Sequence, residues 1–313
     1  MSADATSSLD SIRFDGRVAI VTGAGGGLGR SHALQLAARG AKVLVNDLGA
    51  ARDGSATGAA PGESAADRVV AEIRAAGGEA LANTGSVTDP VAVQAMVDQA
   101  LSAWGRVDIL VNNAGILRDK SFSKMSLDDF RLLVDVHLMG AVYGTKAVWE
   151  TMKAQGYGRI VFTTSSSGLF GNFGQANYGA AKMALVGLMQ TLALEGEKHN
   201  VRVNCLAPTA ATRMTEDIMP PAVLALLTPE SVTPGLLYLA SEQAPTRAIL
   251  CAGAGVFAAS HVTLTEGVLI GAGPDAPELI ASRFAEISSR ANEAVPASGM
   301  AQSQQEMAKV MPR

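Results

Sequence analysis

Short runs of β-branched and aliphatic residues alternate with longer amphipathic segments along most of this chain, beginning at Arg17. The short runs have the length and composition of buried strands, and the longer segments place their apolar residues at helical spacing. Strands that alternate with helices form βαβ units, which assemble into one parallel sheet covered by helices on both faces. The sequence therefore predicts an α/β fold, a Rossmann-type, doubly wound parallel sheet.

Five segments are predicted as strands and five as helices. The strands are Val18–Thr22, Lys42–Asn46, Val107–Asn112, Arg159–Thr163 and Arg202–Leu206. The helices are Leu28–Arg39, Ala65–Ala76, Val91–Trp104, Leu127–Ala154 and Ala176–Lys198. We assign residues 1–15 to an N-terminal tail, 16–272 to the Rossmann-type domain and 273–313 to a C-terminal helical extension that ends in a loosely held tail. Residues 49–62, rich in Gly and Ala, are predicted as a long loop.

The composition excludes several classes of protein. With 48% hydrophobic and 17% charged residues, the chain has the material for a large core. A formal net charge of -4, without a long basic run, argues against nucleic acid as a partner. Two cysteines and four widely spaced histidines offer no metal-ligand spacing, so we predict no metal. Neither a secretory signal nor a membrane-spanning apolar run is recognisable, and we expect a cytoplasmic protein without a membrane partner.

A glycine-rich turn, Thr-Gly-Ala-Gly-Gly-Gly-Leu-Gly over residues 22–29, joins the first predicted strand to the first predicted helix. Glycine lets backbone N–H groups approach a pyrophosphate at a helix N-terminus, and the position after a buried strand distinguishes this turn from an ordinary flexible one. We therefore predict a nucleotide site that includes Gly23, Gly27 and Gly29. The small residues of 112–115 follow another predicted strand and leave room for the nicotinamide end of the cofactor.

Asp47 ends the second predicted strand, eighteen residues beyond Gly29. A carboxylate there can accept hydrogen bonds from ribose hydroxyls and would repel a 2′-phosphate, so it favours NAD over NADP. Gly26 and Leu48 supply no cation for such a phosphate. The alternative is that Asp47 only begins the loop that follows it.

Tyr178 and Lys182 lie four residues apart in a predicted helix, so both side chains share one face. A phenol that exchanges protons near neutral pH needs positive charge beside it, which a lysine and an oxidised nicotinamide can supply. We predict that Tyr178 transfers the proton, while Lys182 lowers the pKa of Tyr178 and holds the nicotinamide ribose. Ser165, thirteen residues before Tyr178, is expected to polarise the substrate oxygen, although Ser166 and Ser167 leave this register open.

Taken together, these motifs resemble the short-chain dehydrogenase/reductase family, which has Thr-Gly-x-x-x-Gly-x-Gly, Asn-Asn-Ala-Gly, a serine and Tyr-x-x-x-Lys in that order. The spacing of tyrosine and lysine resembles the alcohol-oxidising and ketone-reducing branch. A narrower similarity, from Asp15 to Met307, is to the (3R)-hydroxyacyl-CoA dehydrogenases that form part of multifunctional enzymes. It rests on the runs 45–49 (VNDLG), 112–122 (NNAGILRDKSF), 136–138 (VHL) and 171–178 (GNFGQANY).

The resemblance implies further site residues, a substrate and an oligomeric state. The cofactor contacts that it adds are Leu28, Ser86, Val87, Asn113, Ala114, Gly115, Tyr178, Lys182, Pro208 and Thr212. It implies NAD-dependent oxidation of a (3R)-hydroxyacyl-CoA to a 3-ketoacyl-CoA by a homodimer or homotetramer. It also implies that the loop after Asp47 and a tail helix near 277–291 pack the dimer and border the substrate cleft.

Two positions depart from the wider family. His137 stands where most members have an Asn that is thought to hold a water linking the lysine to solvent, so we include His137 among the catalytic residues as part of a proton relay. A packed helix histidine is the alternative. Pro208 is followed by Thr209 where the substrate loop of the family begins with Gly, and Thr212 is the expected contact to the cofactor carboxamide.

Two other functions stay open at this point. A hydroxysteroid or other bulky secondary-alcohol dehydrogenase would use the same cofactor-binding site. Suitable contacts for any apolar substrate are Phe170, Phe173 and Met214. A non-catalytic nucleotide-binding scaffold on this fold would have no need of Tyr178 or Lys182.

Candidates for binding the CoA phosphates are Arg118, Lys120 and Lys124. The alternative is that these three residues form a solvated charged loop.

Overall fold

A computed structural model describes residues 11–55, 63–211 and 220–311. An eight-stranded sheet forms its centre, in the order β3-β2-β1-β4-β5-β6-β7-β8. The strands are β1 (Val18–Thr22), β2 (Lys42–Asn46), β3 (Ala80–Asn83), β4 (Ile109–Asn112), β5 (Gly158–Thr163), β6 (Val201–Thr209), β7 (Ile249–Gly253) and β8 (Val256–Ser260). Pairs from β3 through β7 are parallel. The strand order reverses at β1 and β4, where open α/β sheets bind ligands, and the predicted fold class is confirmed.

Helices cover both faces of this sheet. They are α1 (Gly27–Ala38), α2 (Ala65–Ala75), α3 (Pro90–Trp104), α4 (Leu127–Val134), α5 (Gly140–Gln155), α6 (Ser166–Phe170), α7 (Ala176–Gly196), α8 (Pro221–Leu224) and α9 (Pro229–Ala240). Along β1, Ala19 and Val21 face a core formed with α1, α2 and α9. Val18 and Ile20 face a second core formed with α3, α5 and α7. A strand buried on both faces explains the continuous apolar run in its sequence.

The predicted helix Leu127–Ala154 is interrupted in the structure. It is divided into α4 and α5 by a π-helical turn, Asp135–Met139. A Cβ on Gly140 would lie 3.0 Å from Val87 Cγ2, so the residue after the turn is packed closely against Val87, in the loop that follows β3. Such turns often occur at functional sites, and this one carries His137.

Three strands, β3, β7 and β8, were not predicted, because their sequences lack the usual signals of a strand or of a hairpin turn. β3 has only four residues, Ala80–Asn83, and none of them is β-branched. β7 and β8 are joined by Ala254 and Gly255, whose φ angles of 51° and 75° are those of a tight hairpin turn. Ala254 is not a typical residue for that conformation, so the turn left no clear signal.

A second compact unit begins at Ser260, thirteen residues before the predicted boundary at 273. Its helices are α10 (Ala276–Ser282), α11 (Phe284–Ile287) and α12 (Met300–Val310). The predicted tail helix is therefore two short helices, and the segment predicted as a loose tail contains α12. Leu264 and Ala294 exchange backbone hydrogen bonds of 2.9 and 3.0 Å. Within the described part of this unit, every residue is exposed or only half-buried.

One segment of the described chain, Ala222–Ala240, is long and apolar enough by length and composition to cross a membrane, with a mean hydropathy of 1.3. It contains α9, in which Val232, Leu236 and Leu239 are fully buried in the core beside α1. A helix that fills the core of a globular domain has the same composition. Packing therefore accounts for the buried apolar residues of α9.

Candidate active site

The glycine turn between β1 and α1 is held against the end of β4. Asn113 Nδ2 donates to the carbonyls of Thr22 and Gly23 at 3.0 and 3.1 Å, and Thr22 Oγ1 accepts the N–H groups of Asn113 and Ala114, both at 3.1 Å. A Cβ on Gly23 would lie 2.7 Å from Ala114 Cα, and one on Gly29 would lie 2.6 Å from Asn113 Nδ2. Side chains at these glycines would displace the turn, so Asn113 and the glycines together fix its shape.

Asp47 lies at the carboxyl end of β2, beside this turn. Its Oδ2 accepts the N–H of Gly25 at 2.8 Å, and its Oδ1 accepts the N–H of Gly49 at 2.7 Å. A Cβ on Gly25 would lie 2.7 Å from Asp47 Cγ, so the carboxylate and the turn need a glycine between them. The residues present fit a dinucleotide, since a carboxylate follows β2 next to a bare turn at a helix N-terminus.

Ser86 and Val87 follow β3 at the same edge of the sheet, and both are half-buried. Their segment is held by Asn46, whose Nδ2 donates to Asn83 Oδ1 and to the Gly85 carbonyl, both at 2.8 Å. Nothing in the sequence singles out Asn46, apart from its position at the end of a predicted strand. In the structure it is a buried polar residue with its donors used.

The remaining predicted cofactor contacts lie in the same region or outside the described residues. Leu28 is half-buried in the first turn of α1. Pro208 lies near the end of β6 and pairs with Ala252 of β7. Thr212 and Met214 fall outside the described residues.

Ser165 follows β5 and caps the N-terminus of α6. Its Oγ accepts the N–H of Ser167 at 3.1 Å. The Ser165 side chain lowers the pKa of Tyr178, an effect that opposes burial. Ser165 therefore stays the predicted partner of the substrate oxygen, ahead of Ser166 and Ser167.

Tyr178 and Lys182 occupy adjacent turns of α7, and Lys182 is 3% exposed. Lys182 Nζ lies 5.5 Å from the centre of the Tyr178 ring. Burial raises the pKa of Tyr178 above its usual value of 10.0, with Asp119 raising it further. Burial lowers the pKa of Lys182 to about 7, which makes its charge sensitive to neutral pH. The chain without cofactor therefore does not by itself depress the pKa of Tyr178.

His137 is buried beside Tyr178, with the two ring centres 5.2 Å apart and the rings at 89°. His137 Nε2 lies 2.8 Å from the Ile116 carbonyl oxygen, and Nδ1 has no hydrogen-bond partner among the described residues. Burial is the main reason that the pKa of His137 is well below 6.5, and Lys182 lowers it further. A Cβ on Gly115 would collide with the His137 ring, so Gly115 leaves room for this side chain.

A polar frame connects the segment before Tyr178 to residues 118–120. Asn177 is fully buried; its Nδ2 donates to the Arg118 carbonyl at 3.1 Å, and its Oδ1 accepts the N–H of Tyr178 at 2.8 Å. Gln175 Nε2 donates to Asp119 Oδ2 at 2.7 Å. Sequence reasoning did not identify Asn177 or Gln175, although both stand in the run that carried the narrower resemblance.

Two of the three candidates for CoA phosphates are engaged elsewhere. Arg118 Nη1 and Lys120 Nζ lie 2.8 and 3.3 Å from the two carboxylate oxygens of Asp129 in α4. Arg118 is the main reason that the pKa of Asp129 is lowered to about 2. The charged-loop interpretation thus describes Arg118 and Lys120 incompletely, because both are held by a carboxylate. Lys124 is exposed.

The chain belongs to the short-chain dehydrogenase family. The family model described as short chain dehydrogenase matches residues 17–221, from the start of β1 to the beginning of α8. That span contains the glycine turn together with Ser165, Tyr178 and Lys182. The chain is accordingly an oxidoreductase that acts on CH–OH groups.

Comparison with individual known proteins shows more specific similarities within this family. The chain is 54% identical over 231 residues to peroxisomal multifunctional enzyme type 2 of Mus musculus, covering 74% of this chain and 30% of that enzyme. The structure of full-length peroxisomal multifunctional enzyme type 2 from Drosophila melanogaster matches with a TM-score of 0.77 and 38% identity, over 96% of this chain and 50% of that chain. A 7α-hydroxysteroid dehydrogenase complexed with NADH and 7-oxo glycochenodeoxycholic acid matches with a TM-score of 0.68 and 31% identity, over 78% of this chain and 95% of that chain.

These relatives overturn the expected cytoplasmic location. The mouse and fly enzymes are named as peroxisomal. The expectation rested on the lack of a recognisable secretory signal or membrane-spanning run, and neither feature is required of a protein inside an organelle. The chain spans less than a third of the mouse enzyme and half of the fly enzyme.

Proposed function

We propose that this chain oxidises (3R)-hydroxyacyl-CoA to 3-ketoacyl-CoA with NAD. The observation that carries the proposal is the group of Ser165, Tyr178 and Lys182 at the carboxyl edge of the sheet, next to a glycine turn bordered by Asp47. The similarity to multifunctional enzymes supports the acyl-CoA substrate. Residues 16–272 would form the dehydrogenase domain.

The cofactor is proposed to be NAD because of Asp47. A carboxylate at the end of β2 can accept hydrogen bonds from both ribose hydroxyls, whereas a 2′-phosphate would be repelled. Gly23, Gly27 and Gly29 would bring the turn close to the pyrophosphate. Other cofactor contacts are proposed to come from Asn113, Ala114, Ser86 and Val87. The proposal involves no metal.

The substrate oxygen is proposed to lie between the Ser165 and Tyr178 hydroxyls. Ser165 would donate a hydrogen bond to it, and Tyr178 would accept the hydroxyl proton as general base. When bound, the oxidised nicotinamide accepts the hydride and supplies positive charge beside the phenol. Lys182 would add positive charge and hold the ribose, so that burial no longer keeps Tyr178 protonated.

His137 is proposed to take part in moving the proton from this centre. Its Nε2 lies 2.8 Å from the Ile116 carbonyl oxygen and 3.2 Å from the Ile116 backbone nitrogen, and its Nδ1 has no partner among the described residues. A water hydrogen-bonded to Nδ1 beside Tyr178 and Lys182 would satisfy this buried atom and extend a proton path, whichever ring nitrogen carries the proton.

A homodimer or homotetramer is proposed from the composition of the second unit. Its apolar side chains are largely solvent-exposed in the single chain, and they include Leu269, Leu279, Ile280, Phe284, Val295, Met300, Met307 and Val310. Exposed apolar groups of this number are more typical of an interface than of a free surface. The peroxisomal relatives support a peroxisomal location. We also propose that the chain has no membrane or nucleic-acid partner.

The proposal is tested by initial rates with NAD and NADP on a (3R)-hydroxyacyl-CoA, its (3S) epimer and a hydroxysteroid. We expect turnover of the (3R)-acyl-CoA with NAD, and little with the epimer or with NADP. Turnover of the steroid alone would overturn the acyl-CoA assignment while leaving the chemistry intact. If none of these substrates is turned over, a non-catalytic scaffold would be favoured.

A bulky secondary alcohol is the second candidate substrate. The hydroxysteroid dehydrogenase similarity favours it, since that structure contains 7-oxo glycochenodeoxycholic acid. Phe170 and Phe173 are exposed by 71% and 91% and could contact either an acyl chain or a steroid. The substrate panel above separates these two possibilities.

A further inference from the structure

Arg118 connects three segments that are distant in sequence. Its Nε donates to the Asp53 carbonyl at 2.7 Å, in the segment after β2, and its Nη1 lies 2.8 Å from Asp129 Oδ1 in α4. Its own carbonyl accepts a hydrogen bond of 3.1 Å from Asn177 Nδ2, in the first turn of α7. A guanidinium presents its donors in a fixed planar fork, so this one side chain can hold two acceptors at once.

The segment after β2 is also held to the segment after β4 next to this side chain. The N–H of Leu117 donates to the Arg52 carbonyl at 3.0 Å. A Cβ on Gly54 would lie 3.0 Å from Ile116 Cδ1, and Gly54 has a φ of 83°, so a glycine allows the chain to turn closely against Ile116. Because β2 and β4 are the neighbours of β1 in the sheet, these contacts link the two sides of the glycine turn.

Each end of this connection reaches a residue of the proposed site. At one end is Asp47, whose Oδ1 accepts the N–H of Gly49 at 2.7 Å, in the segment that Arg118 holds. At the other end is Asn177, whose Oδ1 accepts the N–H of Tyr178 at 2.8 Å. Arg118 therefore joins the segment of the carboxylate proposed to bind the ribose to the helix turn of the proposed general base.

We propose that Arg118 is a positioning residue that holds the segment after β2 so that Asp47 is ready to bind the adenosine ribose of NAD. This inference rests on the proposed function through the cofactor, and it requires no particular alcohol. Without the bond to the Asp53 carbonyl, the segment would have to become ordered when NAD binds, and that loss of conformational entropy lowers affinity. Arg118 thus acts on the cofactor through Asp47.

The test is Arg118→Lys, measured as the Kd of NAD by calorimetry without any alcohol present. A lysine ammonium can still pair with Asp129, and the carbonyl at position 118 still accepts from Asn177, but the fork that reaches two acceptors is lost. We expect the Kd of NAD to rise roughly tenfold, as the loss of one hydrogen bond that orders a binding segment implies. An unchanged Kd would overturn the inference.

The matched control is Arg131→Lys, the same substitution in α4. Arg131 is 74% exposed in its side chain and pairs at 3.6 Å with Asp128 of the same helix, an ion pair that a lysine can keep. The Kd of NAD should stay at its wild-type value in this variant. An equal rise of the Kd in both variants would show a general effect of replacing an arginine and would reject the role of Arg118.

A double-mutant cycle with Asp47→Ser tests whether Arg118 acts through Asp47. In the Asp47→Ser chain, Arg118→Lys should change the Kd of NAD by less than about twofold, because the carboxylate that Arg118 positions is absent. A purely structural defect would weaken binding by the same factor in both backgrounds. Additive effects of the two substitutions would therefore overturn the inference.

Hydrogen exchange of the cofactor-free chain separates this inference from the proposed function. The amide of Leu117 should exchange faster in Arg118→Lys than in the wild-type chain or in Arg131→Lys, because its bond to Arg52 opens more often when the segment is loosened. Unchanged exchange would reject the tie between the two segments. If the chain binds NAD but oxidises no acyl-CoA, the proposed substrate is rejected and a raised Kd in Arg118→Lys still supports the inference. If the wild-type chain does not bind NAD, the proposed cofactor and the role of Arg118 are both rejected.

Discussion

Lys182 Nζ donates a hydrogen bond of 2.6 Å to the carbonyl of Thr163, the last residue of β5. The bond fixes the lysine beneath the Tyr178 ring, and burial lowers the pKa of Lys182 to about 7. A lysine held in this way is poorly solvated when charged. Burying Lys182 at this position therefore lowers the stability of the folded chain, while it supplies a residue that the proposed reaction needs.

Lys182→Met should make the chain more stable near neutral pH and inactive. The folded-state pKa of Lys182 is below its unfolded value of 10.5, so the cost of burying it is complete below about pH 7 and declines as the pH rises toward 10.5. We expect a gain in unfolding free energy of about 1 kcal/mol at pH 7, limited by loss of the bond to Thr163. Urea unfolding at pH 7 and pH 10 measures it, and a larger gain at the higher pH would contradict the argument.

Tyr178→Phe should remove turnover while NAD binding remains. The hydroxyl is the proposed base, and its loss is expected to lower kcat by about 10²–10⁴-fold. The aromatic ring still packs against His137, so the site should retain its shape. Steady-state rates and NAD titration by calorimetry test this; Tyr238→Phe, on α9, is the control. Substantial activity in Tyr178→Phe would mean that another group accepts the proton.

The sheet could be predicted because buried strands leave a periodic signal, and the candidate site residues could be named because their motifs have a fixed spacing. β1 and β2 were predicted with correct bounds, since both are continuous apolar runs followed by turns. Ser165, Tyr178 and Lys182 were singled out by spacing, and the structure brings them together. The interruption by Asp135–Met139 was not predictable, because a π-helical turn keeps the composition of the helix around it.

Polar residues that hold other segments in place were the ones missed. The side chains of Asn46 and Asn177 bind backbone carbonyls, and that of Gln175 binds the Asp119 carboxylate. Each partner is distant in sequence, and a single sequence does not pair such positions. Their side chains would be equally compatible with surface loops. Only burial identifies them as structural, since a buried amide must find partners.

Asn177→Ala should destabilise the chain and lower activity together. The change removes the donor to the Arg118 carbonyl and the acceptor for the Tyr178 N–H. Loss of these buried bonds is expected to cost about 1–3 kcal/mol. Thermal unfolding and kcat are the measurements. Asn292→Ala, at an exposed residue outside this segment, should change either quantity much less.

Asp47→Ser should weaken the preference for NAD over NADP. The carboxylate that would repel a 2′-phosphate is removed, while a hydroxyl remains to accept from Gly25 or Gly49. We expect the ratio of kcat/KM for NAD to that for NADP to fall roughly tenfold, corresponding to about 1.4 kcal/mol. Asp53→Ser, in the following loop, is the control. A ratio that stays at its wild-type value would place the ribose elsewhere.

His32 should give the protein an acid-sensitive stability. Its Nδ1 lies 2.9 Å from Thr233 Oγ1, which connects α1 to α9, and burial lowers the pKa of His32 from 6.5 to about 3. Because the folded-state pKa is the lower one, the unfolded chain binds a proton first, and stability is lost progressively as the pH falls from about 6.5 toward 3. Above pH 6.5 the group has no effect on the pH dependence. His32→Leu should flatten the fall by about one proton between pH 6 and pH 4 in urea unfolding, whereas His261→Leu, at an exposed residue, should leave it unchanged. An identical slope in His32→Leu and the wild-type chain would show that other groups cause the acid sensitivity.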